Sequence, residues 1–70
     1  MIVYTPFWEM LKDKNITQYA LINHYKISAE TVNRLRHNKP VSLNRIDDLC
    51  KMFDCNVENI IKFENYDIKK

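Results

Sequence analysis

The sequence predicts an all-α fold: a five-helix bundle in one domain spanning residues 1–70, with short β-strands expected at its two ends. Three observations point there. Apolar residues recur at i, i+3 and i+4 spacing through most of the chain. Helix-start signals precede those stripes at Thr5-Pro6, Thr17, Ser28 and Ser42. No repeat, low-complexity run or linker-like stretch divides the chain.

The elements follow in order. Thr5 is expected to cap helix 1, with Pro6 at the first helical position, where its missing N–H costs nothing; Phe7, Trp8 and Leu11 form the apolar face up to about Lys14. Asn15-Ile16-Thr17 breaks the chain, and Thr17 caps helix 2, whose inner side is Leu21, Ile22 and Tyr25. A turn at Lys26-Ile27 leads to Ser28, the cap of helix 3. Val32 and Leu35 of that helix lie about 60° apart on a helical wheel and face inward with Ile27. Asn38-Lys39-Pro40 stops it. Ser42 caps helix 4, in which Leu43, Ile46, Leu49, Cys50 and Phe53 make one apolar stripe. After a turn at Asp54-Cys55-Asn56, a short helix 5 is expected from about Val57 to Ile61, with Val57, Ile60 and Ile61 apolar. Ile2-Val3-Tyr4 and the alternating Ile61-Lys62-Phe63-Glu64 read as strands, free to pair with each other or with a second subunit.

Size and charge narrow the function classes. Seventy residues with 46% hydrophobic and 29% charged content make a folding composition. A chain this short buries only about 60% of its unfolded surface, so it often gains from a partner subunit, a metal or disulfides. There is no secretory n-region and h-region and only two cysteines, which leaves the cytoplasm as the expected compartment. No apolar run approaches the roughly 20 residues that cross a bilayer, so no membrane partner is expected. The net charge is +2, distributed unevenly: residues 1–22 carry 0, residues 23–45 carry +4 and residues 46–70 carry −2. A phosphate-binding surface needs that local concentration.

Two short helices joined by a tight turn, the second flanked by bases, have the outline of a helix-turn-helix unit, here at about residues 17–37. The string Thr17-Gln18, Leu21, Tyr25, Ile27-Ser28, Thr31-Val32, Arg34-Leu35, Asn38-Lys39, Val41-Ser42-Leu43, Ile46, Leu49-Cys50, Phe53 and Val57 resembles the Cro- and lambda-repressor-like (XRE-type) helix-turn-helix regulators in their small single-domain form. The resemblance covers about residues 5–63 and implies a lambda-repressor-like DNA-binding domain. It also implies that Gln18 meets the DNA backbone and that the outer face of helix 3 reads bases. Two positions depart from the family. Lys26 stands where the turn usually has glycine, and Ile22 stands where alanine is preferred, which is expected to shift the angle between helices 2 and 3.

The wheel marks the same surface. With Val32 and Leu35 inward, Glu30, Asn33, Arg34 and His37 point away from the core, with Ala29 at the flank. Asn33 suits adenine, Arg34 guanine or a phosphate, Glu30 a cytosine amine and Ala29 a thymine methyl. Lys26, Ser28, Arg36, His37, Asn38, Lys39 and Arg45, with Gln18, are the candidates for backbone positioning. Arg36 falls nearer the buried side. The same basic segment also reads as a solvated helix face, Glu30 and Arg34 making an ordinary i, i+4 pair.

Other chemistry finds little support. Cys50 and Cys55 are spaced more widely than a CxxC hook and read as structural thiols. His24 and His37 lack further ligands at metal spacing, so no metal or other cofactor is expected. Tyr4, Trp8, Tyr25 and Phe53 read as core rather than as a base-stacking platform. A chain without glycine holds no glycine-rich phosphate loop, and Asp47-Asp48 face no matching acids, so no enzyme is expected. No small-molecule ligand is evident. The expected activity is sequence-specific binding of double-stranded DNA by a homodimer, with repression by promoter blocking as the simplest outcome. A protein-interaction module on the same fold, antitoxin-like or anti-repressor, is the alternative.

Overall fold

The computed structural model describes residues 1–65; residues 66–70, the end of the predicted domain, lie outside the described residues. Four α-helices are present among them: α1 (Thr5–Asp13), α2 (Gln18–Asn23), α3 (Ala29–Arg36) and α4 (Leu43–Phe53). Strands β1 (Ile2–Val3) and β2 (Lys62–Phe63) pair antiparallel within the chain, Ile2 opposite Phe63 and Val3 opposite Lys62. The Met1 amino group donates to the Glu64 carbonyl at 2.8 Å and the Glu64 N–H returns a bond to the Met1 carbonyl at 2.8 Å, which extends the tie between the two ends.

Three of the four predicted caps form. Thr17 Oγ1 accepts from the Ala20 N–H at 3.1 Å, Ser28 Oγ from Thr31 at 3.1 Å and Ser42 Oγ from Arg45 at 3.2 Å. Each satisfies a backbone donor that the helix geometry leaves without a partner. Thr5 is not a cap: it is already helical, and Tyr4 occupies the cap position without a side-chain bond. The Tyr4 carbonyl takes the first N–H groups instead, from Phe7 at 3.0 Å and Trp8 at 3.3 Å. The predicted fifth helix is a single 3-10 turn, Val57–Asn59. Asn56 and Asn59 close it on themselves, the Asn56 N–H bonding Asn59 Oδ1 at 3.0 Å and the Asn59 N–H bonding the Asn56 carbonyl at 2.9 Å. Because β2 begins at Lys62, the chain has no length for a second turn.

The chain leaves its helices through left-handed residues although it has no glycine. Asn15, Lys26, Asn38 and Asp54 have φ of 58°, 61°, 55° and 52°. After α1, α3 and α4 the next N–H reaches back five residues: Ile16 to Leu11 at 2.9 Å, Lys39 to Arg34 at 2.9 Å and Cys55 to Cys50 at 3.0 Å. These are the bonds that close a helix whose following residue is left-handed. Asparagine and aspartate tolerate this region through local side-chain hydrogen bonding, whereas lysine does not. Lys26 therefore accepts the strain that glycine would relieve, and the Ile27 N–H closes the turn onto the Leu21 carbonyl at 3.0 Å.

One apolar cluster joins all four helices, with Phe7, Leu11, Leu21, Leu35 and Ile60 fully buried among Tyr4, Ile27, Val32, Ile46, Leu49 and Phe53. Phe7 meets the Phe53 ring edge-on at 5.9 Å. Two residues predicted to face inward do not. Ile22 is 37% exposed, so its extra bulk over alanine is partly left in solvent. Leu43 is 79% exposed, because the stripe centred on Ile46, Leu49 and Phe53 leaves it about a quarter turn off the buried face. Thr31 is buried in the position that the wheel reading passed over, its hydroxyl accepting from Ser28 Oγ at 2.9 Å.

Lys26→Gly is expected to stabilise the protein by about 1 kcal/mol, since glycine takes positive φ without steric penalty. Urea unfolding checks it, and an unchanged or lowered midpoint contradicts the strain assigned to Lys26.

Candidate nucleic-acid interface

Helix α3 is held from behind and left open in front. Its inner residues Thr31, Val32 and Leu35 are buried, while Ala29, Glu30, Asn33, Arg34, Arg36 and His37 are exposed. Arg36, predicted nearer the buried side, thus stands in solvent. From behind, Trp8 Nε1 donates to the Leu35 carbonyl at 3.1 Å. The Tyr4 N–H donates to Asn38 Oδ1 at 3.0 Å and the Tyr4 hydroxyl to the Lys39 carbonyl at 2.8 Å. Tyr4 and Trp8, read from the sequence as core, therefore carry polar bonds as well; such handles are why aromatic residues of these two types bury well against backbone. Lys39 has both backbone groups engaged, so its ammonium projects from a fixed point.

The exposed side chains are not equally free. Arg34 Nη2 pairs with Glu30 Oε2 at 2.8 Å and Nη1 donates to the Pro40 carbonyl at 3.2 Å. The ion pair is solvent-exposed, so it contributes a few tenths of a kcal/mol and orients Arg34 more than it stabilises the helix. Ser28 and Asn38 have their oxygens committed to the fold, Ser28 as cap and Asn38 to Tyr4. His37 Nδ1 lies 2.9 Å from the Asn33 carbonyl. A carbonyl only accepts, so the contact is a hydrogen bond in the tautomer that carries the proton on Nδ1.

Beside α3 runs a cleft of about 250 Å³ lined by Ser28, Glu30, Thr31, Arg34, Pro40, Val41, Ser42 and Arg45. Both cap serines open onto it, so the N-terminal turns of α3 and α4 and two guanidinium groups border the same space. Helix N-termini carry partial positive charge and free N–H groups, and such an arrangement suits phosphate oxygens. The cleft shares Ser28, Thr31 and Arg45 with a groove of about 500 Å³ that is also lined by Lys26, Asp48, Lys51 and Met52. Gln18 is exposed on the first turn of α2. Beside it Tyr19 is 70% exposed, a residue that sequence reasoning did not single out. Its position about 200° from the buried Leu21 was the available signal.

Two short helices locked by a tight turn, the second offering an exposed polar face edged with cations, define a helix-turn-helix DNA-binding domain of the kind used by regulators. The sequence agrees: it matches the family model of the Cro/C1-type HTH DNA-binding domain over residues 7–65, and the chain belongs to that family. No curated protein and no solved structure matches it. No helix among the described residues is long and apolar enough to cross a membrane.

Asn38→Ala removes the acceptor of the Tyr4 N–H and the residue type that tolerates positive φ, and it is expected to destabilise the fold by about 1–3 kcal/mol in urea unfolding. Burial pushes the Tyr4 phenol above its ordinary value of 10.0, partly offset by the Val41 backbone. The folded protein thus holds the phenolic proton more tightly than the unfolded chain. That contribution is complete below the ordinary value and is lost as pH rises through the raised one. Wild type should lose more stability than Tyr4→Phe between about pH 8 and 11; parallel urea midpoints would contradict it.

Proposed function

We propose that this protein is a sequence-specific regulator that binds double-stranded DNA as a homodimer, inserts α3 into the major groove and acts as a repressor without catalysing a reaction. The observation that carries the reading is the outer face of α3, where Asn33 and its neighbours are exposed while the opposite face is fully packed. Asn33 reads a base; adenine presents the donor and acceptor that an amide matches. Arg34, steadied by Glu30 and the Pro40 carbonyl, serves a guanine or a flanking phosphate. Glu30 contributes mainly by aiming Arg34, with its exposed carboxylate still within reach of a cytosine amine, and Ala29 packs on a thymine methyl.

Backbone phosphates lie along both edges. They meet Lys26, Arg45 and the cleft at the two cap serines, which line adjoining spaces, and they also meet Gln18 on α2 and Arg36 on α3, while Lys39 and His37 approach them from the C-terminal end of α3. Ser28 and Asn38 take part through the backbone they hold in place, because their side-chain oxygens are occupied.

The homodimer rests on a second observation. Leu43 (79% exposed) borders the same groove as Met1 and Ile2, and Phe63 (68%) lies opposite Ile2 in the strand pair. That apolar groove, of about 460 Å³, is lined partly by Val41, Ile46 and Ile61, and its charged groups among the described residues are Lys39 and the Met1 amino group. Protruding apolar side chains next to a groove are self-complementary under two-fold symmetry. The two α3 helices then fall about 34 Å apart on successive turns of one DNA face. A protein-interaction module would use this same patch for a different chain, and DNA binding separates the two readings.

Fluorescence anisotropy with duplex DNA from upstream of the protein's own reading frame tests the proposal. Binding should weaken steeply with salt. Asn33→Ala should relax base preference at one position of each half-site, while Lys39→Ala should weaken binding to all sequences and lower the salt slope by about 1. Salt-independent association, or identical behaviour of the two variants, sinks direct readout.

A further inference from the structure

Cys50 and Cys55 are brought together by a feature that their sequence spacing conceals. Were α4 to continue, residues five apart would sit roughly 140° apart around the helix and about 7.5 Å along it, with their thiols on different sides. The helix instead ends at Phe53, and Asp54, with φ of 52°, reverses the chain. The Cys55 N–H then reaches the Cys50 carbonyl at 3.0 Å. In this closure the residue past the turn packs against the one five positions earlier, a contact usually made by two apolar side chains. Here both are thiols, half-buried and unbridged. Burial pushes the Cys55 thiol up, and the Cys50 sulfur against it adds to the same effect.

We propose that Cys50 and Cys55 are a modification site, closing into an intramolecular disulfide across the C-terminal cap of α4 when the folded protein meets a low-molecular-weight disulfide such as oxidised glutathione. The backbone bond between the two residues keeps their α-carbons within the span that a disulfide bridges. One cysteine thiolate attacks a glutathione sulfur, the glutathione S–S bond breaks, and one glutathione leaves as a thiolate. The neighbouring thiol loses its proton and attacks the mixed disulfide; the protein S–S bond forms and the second glutathione leaves. The protein gives up two protons and two electrons, and the oxidant is reduced to two thiols. The bond ties α4 to the segment that carries the 3-10 turn and β2, and β2 in turn holds β1. The oxidised protein therefore resists unfolding more than the reduced one. None of this depends on DNA binding.

The test uses the full chain incubated with oxidised glutathione, then denatured, alkylated and weighed as an intact protein. Wild type should fall in mass by two hydrogens and lose both alkylation sites, whereas Cys50→Ser and Cys55→Ser should each retain one thiol, carrying either a glutathione or an alkyl group. The closed fraction of wild type should be higher in buffer than in concentrated urea at the same glutathione ratio, and the closed form should melt at a higher temperature. Two persistently alkylable thiols, a glutathione on each cysteine, disulfides between chains, or equal closure in urea each overturn the proposal.

Discussion

The bond from Trp8 Nε1 to the Leu35 carbonyl, with the two bonds that Tyr4 makes to Asn38 and Lys39, is the constraint on which the rest of the structure depends. A helix of eight residues has little stability of its own. Its position has to come from tertiary contacts, and α3 receives them at two levels. Val32 and Leu35 bury its inner face, and the α1 side supplies hydrogen-bond donors to the carbonyls and the side-chain acceptor at its C-terminal end. Tyr4 and Leu35 are buried, so the Tyr4 N–H and the Leu35 carbonyl are drawn from solvent together with their partners, and the bonds suppress alternative placements as well as stabilise this one. The consequence is functional: with its inner side and its C-terminal end fixed, α3 presents its outer side chains from a rigid base.

The same economy appears in the turns. With no glycine, the chain assigns its left-handed positions among the described residues to two asparagines, an aspartate and a lysine. Asn38 serves twice, as the residue that reverses the chain after α3 and as the acceptor for the Tyr4 N–H. Lys26 has no such compensation among the described bonds, but its position puts a cationic side chain in the helix-turn-helix turn, lining the same groove as Ser28 and Thr31. The charge distribution agrees, since most of the positive excess lies in residues 23–45 around α3.

Helix starts were legible wherever a hydroxyl residue preceded a stripe, because the capping bond is local and needs no tertiary partner: Thr17, Ser28 and Ser42 all form it. Thr5 misled because Pro6 is accepted at the first or second helical position, and only the Tyr4 carbonyl decides which. The fifth helix misled because three apolar residues fit a short helix and a 3-10 turn equally well; the pairing of β2 with β1 sets the shorter form. Leu43 satisfied the apolar spacing of α4 yet lies outside the core, since periodicity identifies a stripe without fixing where its edge falls.

The sequence by itself determined the helical class, the order of α1 to α4 and the polar outer face of α3, because each follows from periodicity and capping within a few residues. The tertiary structure alone decided which polar side chains on and around that face are occupied. Asn38 with Tyr4 and Trp8 with Leu35 are chosen by distances of about 3 Å between residues far apart in the chain, whereas Glu30 with Arg34 was already readable as an i, i+4 pair. It likewise decided that the two ends of the described chain pair with each other and that Cys50 meets Cys55. Spacing along a chain does not encode such contacts, because they depend on where packing brings the backbone back upon itself.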